Sequence, residues 1–390
     1  MSSNKFNKIS KYIKIAYLRW QQYCNSLQEV SEEAIACCEF IVYVSQMAKS
    51  ESDLTLKDVV EKVFNNIFND FKTRQNREYE AAKKFIECQY LDKSEAQEHL
   101  KKIEEKLADD LQKFLNQIRR ALDLFDFSLD IDLQVNENKE KYLSVVSDLK
   151  RLGYDCFVAE EISCILAKNK GIGFYSQKKL SEGFDIVTNG TFFWPGTILG
   201  SIISDDCETF ECDNALTNMR GCVAIQESGL VRVDYTDSNK IENIKKSFFI
   251  NKNTEGPYID EIMNDDALHS VIAGGLLLIR NSKAVSGAEI YEKQQFLHTM
   301  DGSKNGLKAE QLRKTKHVII GIWNYVPFIA VPSKNSSKGE EIQNDFLKLK
   351  FSELVKFDGG SEFFFDSKKY WQHLTGKNSP SGLAIKVREL

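Results

Sequence analysis

Three short glycine-containing motifs in the second half of the chain carry residue types that could do chemistry. Asp358-Gly359-Gly360-Ser361 places a carboxylate beside two glycines, which let a backbone approach a ligand closely while an acid stays exposed. Asn189-Gly190 precedes Thr191 and two phenylalanines, and Gly274-Gly275 interrupts an apolar run. Such strings also form ordinary turns, because Gly, Asn and Asp are turn formers. We interpret Asn189 as an amide that orients a ligand, with a tight turn at a strand end as the alternative.

The elements that must position these motifs are apolar runs typical of strands. They read SCILAKN, GCVAIQ, LVRVDY, SFFI, SVIAGGLLLIR, HVIIGIW and PFIAVP, and they succeed one another after residue 152. The segment Gln226 to Gly229 predicts a hairpin turn between two of them, and LSEGFDIV before Asn189 is predicted to be helical. Gly274-Gly275 would weaken a strand unless a neighbouring backbone, a sugar or a phosphate needs the space. The pattern indicates an α+β domain with a sheet-rich core.

The first part of the chain has a different composition. Residues 1–152 contain no glycine and no proline, whereas all 21 glycines and all 5 prolines come later. Because these two residues punctuate loops and break helices, their absence predicts a domain of long helices. We therefore predict a two-domain protein, with an all-α helical bundle at 1–150 and an α+β domain at 151–390.

Apolar residues recur at steps of three and four within the first domain and predict four helices. The side chains expected to point inward are Phe6, Ile9, Ile13 and Tyr17; then Ile35, Phe40, Ile41 and Val44 in a helix from Ser31 to Met47; then Val60, Phe64, Ile67 and Phe71, continuing to Phe85-Ile86; and finally Leu100, Ile103, Leu107, Leu111, Phe114, Ile118, Leu122 and Phe125. Ser94, with Gln97 three residues later, predicts a capping box for the fourth helix. The apolar residues on one face of this helix predict that it packs lengthwise against a partner helix. Three interpretations of the bundle are open: it packs against itself, it forms a homo-oligomer, or it acts on a membrane after its aromatic stripe is uncovered.

Composition excludes several classes of protein. With 42% hydrophobic and 28% charged residues the chain is globular, and a net charge of -5 disfavours nucleic-acid binding through a broad basic face. The N-terminus shows no secretory signal, and the longest apolar stretch, Ala34 to Val44, is too short to span a bilayer. Nine cysteines without a CxxC pair indicate reduced thiols, so we expect a cytoplasmic protein, with non-classical secretion left open. The five histidines show no ligand spacing for a metal, and no cofactor is indicated.

Four segments resemble, in their order along the chain, the phosphodiester glycosidase family over about residues 160–370. They are FDIVTNGTFF, AGGLLLIRNSKAV, KHVIIGIWN and FSELVKFDGGSEFFF. The resemblance implies a phosphodiester-glycosidase-like α+β fold and hydrolysis of a sugar 1-phosphodiester. It also implies that Asn189 and Gly190 lie beside the active site. Leu276 stands where the family usually has proline after its two glycines. Ser361 follows two glycines where the family has three.

A basic run in LRKTKHVIIGI resembles a family segment with Arg-Thr before Ile-Gly. When the family segment is aligned on Gly321 without a gap, its arginine falls on His317. When a short gap is allowed, the arginine falls on Arg313 or Lys314, and Thr315 takes the place of the threonine. A cation here would bind the negative charge of a phosphodiester. The alternative is a solvated basic run before a buried strand, and which residue acts is open.

The resemblance implies that Asp358 is the acid, base or nucleophile at the anomeric carbon. Ser361 would bind phosphate, and Gly274, Gly275, Gly359 and Gly360 would shape the pocket. Candidates for a second carboxylate, without a spacing argument, are Glu227, Asp234, Asp301 and Glu362. The expected substrate is a glycosyl phosphate or a nucleotide sugar. The alternative is a non-catalytic or toxin-like protein whose helical bundle acts on a partner or membrane, while the second domain only binds carbohydrate.

Overall fold

A computed structural model of the chain divides it into two compact units, Met1–Asn138 and Lys139–Leu390. The structure describes residues 3–27, 29–51, 53–89, 93–129, 135–137, 139–194, 197–198, 200–206, 208–212, 219–237, 241–242, 244, 268–292, 294, 316–333, 338–359 and 363–390. The predicted layout of a helical part followed by an α+β part is confirmed.

The first unit is built from four long helices and a short hairpin. These are α1 (Ser3–Asn25), α2 (Glu32–Ser50), α3 (Leu56–Gln89), α4 (Lys93–Leu124), β1 (Phe127–Leu129) and β2 (Val135–Glu137). Its core contains many of the residues expected to point inward, among them Ile13, Tyr17, Phe40, Val44 and Phe64. The predicted helical bundle is therefore present, and the hairpin is an addition to it.

Three details of the helical unit differ from expectation. Ile35 is 50% exposed and Phe85 is 62% exposed, so the apolar stripes of α2 and α3 are narrower than predicted. Helix α4 begins at Lys93, so Ser94 lies in its first turn instead of capping it. Helix α2 was predicted from Ser31 and begins at Glu32; Ser31 caps it, because its hydroxyl accepts a hydrogen bond from the Ala34 amide at 3.2 Å.

The second unit is dominated by strands. Its helices are α5 (Glu140–Arg151), α6 (Ile172–Ser181), α7 (Gly287–Glu292) and α8 (Gly339–Lys348), with a 3₁₀ turn at Lys168–Lys170. Its strands are β3 (Tyr154–Leu166), β4 (Ile186–Asn189), β5 (Phe193–Trp194), β6 (Thr197–Ile198), β7 (Ile202–Ile203), β8 (Thr209–Phe210), β9 (Met219–Gln226), β10 (Val231–Asp237), β11 (Leu268–Arg280), β12 (Lys283–Ala284), β13 (His317–Trp323), β14 (Val326–Pro332), β15 (Glu353–Gly359), β16 (Phe364–Ser367), β17 (His373–Leu374) and β18 (Ser381–Val387).

One large sheet has the strand order β10-β9-β11-β15-β13-β14-β3-β18-β4-β16-β17, and its paired strands are antiparallel. Strands β11, β13 and β14 are almost fully buried, which explains why they read as continuous apolar runs. Helix α5 packs on this sheet through the Tyr142 ring, whose centroid lies 6.4 Å from that of Phe328. The predicted domain boundary at 150/151 falls at the end of that helix.

One predicted turn in the second unit is confirmed, and one predicted helix is wrong. The predicted hairpin turn is present: the Gly229 amide donates to the Gln226 carbonyl at 2.7 Å, and Gly229 has φ +82°. The segment LSEGFDIV is not one helix, because α6 ends at Ser181 and Gly183 takes φ +97° before Ile186 opens β4. The predicted strand SFFI lies outside the described residues.

Two general properties of the chain follow from the described residues. The eight cysteines among them are free thiols. None of the helices in the described ranges has the length and hydropathy to cross a membrane. A cytoplasmic location stays a prediction.

Candidate functional site

The amide of Asn189 joins two of the predicted motifs. Asn189 is fully buried at the end of β4, and its Nδ2 donates to the main-chain carbonyl of Asp358 at 2.8 Å. Its Oδ1 accepts from the Phe364 amide at 3.0 Å. Both ends of the amide are used, which fixes its orientation. Asn189 therefore holds the backbone at Asp358 and does not present its side chain to solvent.

Gly190 makes the second link to Asp358. The Asp358 amide donates to the Gly190 carbonyl at 3.1 Å, and the Gly190 amide donates to the Ser381 carbonyl at 3.1 Å. A Cβ at Gly190 would overlap Ile272 Cδ1 and lie 3.0 Å from Ser381 Oγ. Glycine is needed here for close packing, so the backbone of β4 can reach β15.

Asp358 itself is half-buried at the end of β15. Its Oδ1 accepts a hydrogen bond from the amide of the next residue, Gly359, at 2.7 Å. This hydrogen bond orients the side chain at its own strand end, at a partly exposed position.

The start of β13 lies beside this strand end. His317 pairs with Gly359, and a Cβ at Gly359 would overlap the Lys316 carbonyl oxygen and lie 2.6 Å from His317 Nδ1. The glycine after Asp358 is therefore required by a neighbouring strand. The aspartate and the basic run, separated by about 40 residues of sequence, meet at this point.

His317 is in contact with a buried lysine that the sequence analysis missed. The Nε2 atom of His317 lies 3.2 Å from the Nζ atom of Lys356, and the two residues are 1% and 0% exposed. The contact joins the start of β13 to the middle of β15 through two basic side chains inside the sheet domain. The signal in the sequence was a lysine inside the apolar strand ELVKFDG.

The two glycines of β11 have separate structural reasons. Gly274 has φ +94°, and the pairing of β11 with β9 shifts between Ala273 and Gly275, which is a β-bulge. A Cβ at Gly275 would overlap Val355 Cγ2 and lie 3.0 Å from Phe357 Cε1. The space at Gly275 is filled by side chains of β15. Both glycines thus shape the strand next to the one that carries Asp358.

Several predicted residues are not brought into this group. Arg313, Lys314, Thr315, Gly360 and Ser361 lie outside the described residues, as do Asp301 and Glu362. Glu227 is exposed in the hairpin turn before β10. Asp234 lies 3.4 Å from Arg280, and its charge acts on Glu353 at the opposite end of β15 from Asp358.

An aromatic cluster adjoins the site and was not anticipated. Lys316 Nζ lies 4.9 Å from the ring centroid of Trp371 and 5.9 Å from that of Phe363. The His373 ring lies 5.3 Å from Phe363, and burial together with the charge of Lys316 lowers the pKa of His373. We name Lys316, Phe363, Trp371 and His373 the aromatic cluster. No spacing rule connects Lys316 with the three rings, since 47 residues separate it from Phe363.

The assembled group has one half-buried carboxylate, a buried histidine–lysine pair and a lysine over aromatic rings. Such a combination can stabilise a developing positive charge at carbon while it binds an anionic leaving group. Among the described residues, no three His, Cys, Asp or Glu side chains are grouped to hold a metal ion.

Known proteins offer limited comparison. No protein-family model matches the chain, and no curated protein matches it. Its structure is similar to the catalytic domain of zebrafish N-acetylglucosamine-1-phosphodiester alpha-N-acetylglucosaminidase, auto-inhibited by its pro-peptide, with 11% identity, a TM-score of 0.41 and coverage of 67% of this chain and 81% of that chain.

Two further solved structures are similar at the same low level. One is a hypothetical protein from Synechocystis, with 9% identity, a TM-score of 0.34 and coverage of 60% of this chain and 57% of the other. The second is an exported protein from Burkholderia pseudomallei K96243, with 9% identity, a TM-score of 0.35 and coverage of 58% and 71%. At these values none of the three places the chain in a family, and its function must be inferred from the residues of the site.

Proposed function

We propose that this protein hydrolyses a glycosyl-phosphate linkage, with Asp358 as the reacting carboxylate. The observation that carries the proposal is the bridge made by Asn189, whose amide binds the Asp358 carbonyl at 2.8 Å and the Phe364 amide at 3.0 Å. A buried amide that binds the main chain at two positions, one at the end of β15 and one at the start of β16, fixes the backbone at both and so orients the residue at the first. The residue so oriented is a half-buried aspartate.

The chemistry of a sugar 1-phosphodiester suits this arrangement. Breaking the bond between C1 and the phosphate oxygen develops oxocarbenium-like charge at the sugar, which a carboxylate stabilises, attacks or relieves by activating water. Phosphate leaves with its oxygen as an anion and needs less help from an acid than an alcohol does. Water supplies the new C1 hydroxyl, and the products are a free sugar and a phosphomonoester.

Basic side chains for the leaving phosphate come from two places in the chain. The His317–Lys356 pair lies buried directly behind Gly359. The basic run from Arg313 to Lys316 comes directly before His317 in the chain. We propose Arg313, Lys314 and Thr315 from this run as ligands of the phosphate. Gly190, Gly274, Gly275 and Gly359 would let strands close around the ligand, and Gly360 and Ser361 would complete the loop after Asp358.

The test is hydrolysis of a panel of sugar 1-phosphodiesters and nucleotide sugars by the purified protein, beside Asp358→Asn. We expect turnover in the parent and a loss of at least about a hundredfold in the variant, as for the removal of a positioned acid or base. Asp206→Asn is the matched control, because Asp206 is an exposed aspartate. Circular dichroism must show that both variants keep the fold.

The helical unit is proposed to serve association, either with a second copy or with a partner. If no substrate of the panel is turned over and the protein makes lipid vesicles leak, the toxin-like alternative replaces the hydrolase. Asp358→Asn would then leave vesicle leakage unchanged.

A further inference from the structure

Lys316 stands just before β13 and is held by aromatic rings. Its Nζ lies 4.9 Å from the centroid of Trp371 and 5.9 Å from that of Phe363, within the range of cation–π attraction. The Trp371 ring is itself stacked on Phe365, with centroids 4.3 Å apart and planes inclined by 16°. The rings attract the charge of the ammonium without accepting conventional hydrogen bonds through lone pairs. The three N–H donors of Lys316 can therefore still bind an anion.

The aromatic cluster is attached to the strand end that carries Asp358. The Lys316 carbonyl oxygen sits against Gly359, where a Cβ would overlap it. Phe363 directly precedes Phe364, whose amide binds Asn189, and Asn189 holds the Asp358 carbonyl. Thr375 Oγ1 donates to the Phe363 carbonyl at 3.0 Å and so ties the strand with His373 to the same place.

Neighbouring residues of the basic run differ in access to solvent. His317 is 1% exposed and its partner Lys356 is 0% exposed, so both lie inside the sheet domain. Lys316 is half-buried and so partly accessible. Successive residues of an extended chain point to opposite sides, which places the ammonium of Lys316 outward where the ring of His317 points inward.

We propose that Lys316 is the cation that binds the phosphate of the substrate, with Trp371 as a positioning residue that holds its ammonium over the rings of the aromatic cluster. This inference rests on the proposed function and names the residue that the basic run left open.

The charge of Lys316 also acts on His373, a titratable side chain of the same cluster. The pKa of His373 is lowered, first by burial and then by the positive charge of Lys316. His373 therefore reports on that charge without any substrate. Lys316→Met removes the charge while keeping the length of the side chain, and the pKa of His373 should rise.

The experiment titrates the full-length protein with inorganic phosphate and follows the His373 ring and the Trp371 indole by NMR. In the wild type we expect both signals to shift with saturation. Lys316→Met should raise the dissociation constant by about tenfold or more, as for the loss of a charge-assisted hydrogen bond. Lys316→Arg should retain binding. Lys368→Met, at an exposed lysine three residues from Trp371, should not change it.

Trp371 is tested by two substitutions. Trp371→Leu removes the ring, and we expect weaker phosphate binding together with a raised pKa of His373 as Lys316 loses its position. Trp371→Phe keeps a ring, and no described residue accepts a hydrogen bond from the buried Trp371 Nε1, so this variant should restore both readouts. A purely structural role for Trp371 would instead lower the melting temperature and leave phosphate binding of the folded protein intact.

The outcomes separate the two proposals. Phosphate binding that depends on Lys316, without turnover of any glycosyl phosphate, supports the cation site and contradicts the hydrolase. Turnover that is unaffected by Lys316→Met contradicts the cation site and leaves the hydrolase standing. Phosphate that shifts neither the His373 nor the Trp371 signal in the wild type overturns the inference.

Discussion

At Gly359 the backbone of β15 passes so close to β13 that any side chain would collide with it. A Cβ would overlap the Lys316 carbonyl oxygen and approach His317 Nδ1 to 2.6 Å. The obstructing atom is main chain, so it cannot turn away as a flexible side chain would. We predict that Gly359→Ala lowers the free energy of unfolding by about 1–3 kcal/mol, which is the range for overpacking. The urea midpoint, at unchanged m value, measures this loss.

The matched control for that substitution is Gly287→Ala. Nothing lies within 4 Å of a Cβ at Gly287, which stands at the start of α7. Alanine there should be neutral or stabilise by about 0.4–1 kcal/mol, because it restricts the unfolded chain. Equal urea midpoints for Gly359→Ala and the wild type would show that the two strands are not so closely apposed.

Glu353, at the other end of β15, carries a prediction for pH dependence. Burial, the largest cause, raises the pKa of this carboxyl above its usual 4.5, with a smaller rise from Asp234; a contact with Ser352 and the charge of Arg232 oppose the rise. The folded protein therefore holds the proton more tightly than the unfolded chain. The protonated Glu353 therefore stabilises the folded protein relative to the ionised form. This stabilisation is fully present below pH 4.5 and is lost as the pH rises through the pKa that Glu353 has in the folded protein.

We predict that Glu353→Gln, which imitates the protonated acid, is more stable than the wild type at pH 7. The difference should shrink to nothing as the pH falls below 4.5. Urea unfolding at a series of pH values measures it. Glu227→Gln is the control, since Glu227 is exposed in a turn, and it should show no such trend. A variant less stable than the wild type at pH 7 would mean that ion pairing outweighs burial at Glu353.

Among the elements, α2 offers a clean test of how the helical unit is specified. Ser31 precedes the helix in an extended conformation, and its side chain accepts from the Ala34 amide. Ser31→Ala leaves that amide without its cap, and we expect a loss of about 1 kcal/mol. Ser31→Asp should retain the cap and the stability. Thermal unfolding of the full chain, followed by circular dichroism at 222 nm, distinguishes the two variants.

The sequence predicted those elements whose cause is local. The absence of glycine and proline from residues 1–152 indicated the helices of the first unit, and apolar runs indicated β9, β10, β11, β13 and β14. It failed at LSEGFDIV, where an apolar segment after Gly183 pairs as β4 with β18. Short buried runs have no period that separates strand from helix, so only the partner strand decides.

The site was predictable in part, for a related reason. The resemblance named Asn189 and Asp358, but only the fold could show that they touch, because 169 residues separate them. The opposite roles of Lys316 and His317 depend on strand register, with a shift in the pairing of β13 and β15 between His317 and Ile319. A change of one residue in register exchanges the inward and outward faces. No sequence pattern specified that register.

For the whole molecule, the two units predict separate folding. The second unit contains its own core and all described residues of the proposed site, and the helical unit contains its own core. We expect a fragment of residues 139–390 to unfold cooperatively in urea and to keep any hydrolase activity of the full chain. A fragment that does not unfold cooperatively would show that the helical unit is needed for its fold.

The proposed association through the helical unit is tested by a fragment of residues 1–138. Sedimentation equilibrium should give a mass that is a multiple of the fragment mass, and the full chain should show the same multiple. A monomeric fragment, beside a monomeric full chain, would contradict self-association and leave binding of a different partner as the role of the unit.

In the proposed reaction the bond between the sugar and the phosphate oxygen is broken at C1, beside Asp358. Hydrolysis of a sugar 1-phosphodiester in water enriched in oxygen-18, with the phosphomonoester product analysed by ³¹P NMR, tests which bond breaks. Cleavage at C1 leaves the phosphate unlabelled, since the water oxygen enters the sugar, and this is the predicted result. Label in the phosphate would show attack at phosphorus and would contradict the assignment of Asp358, as would the absence of turnover.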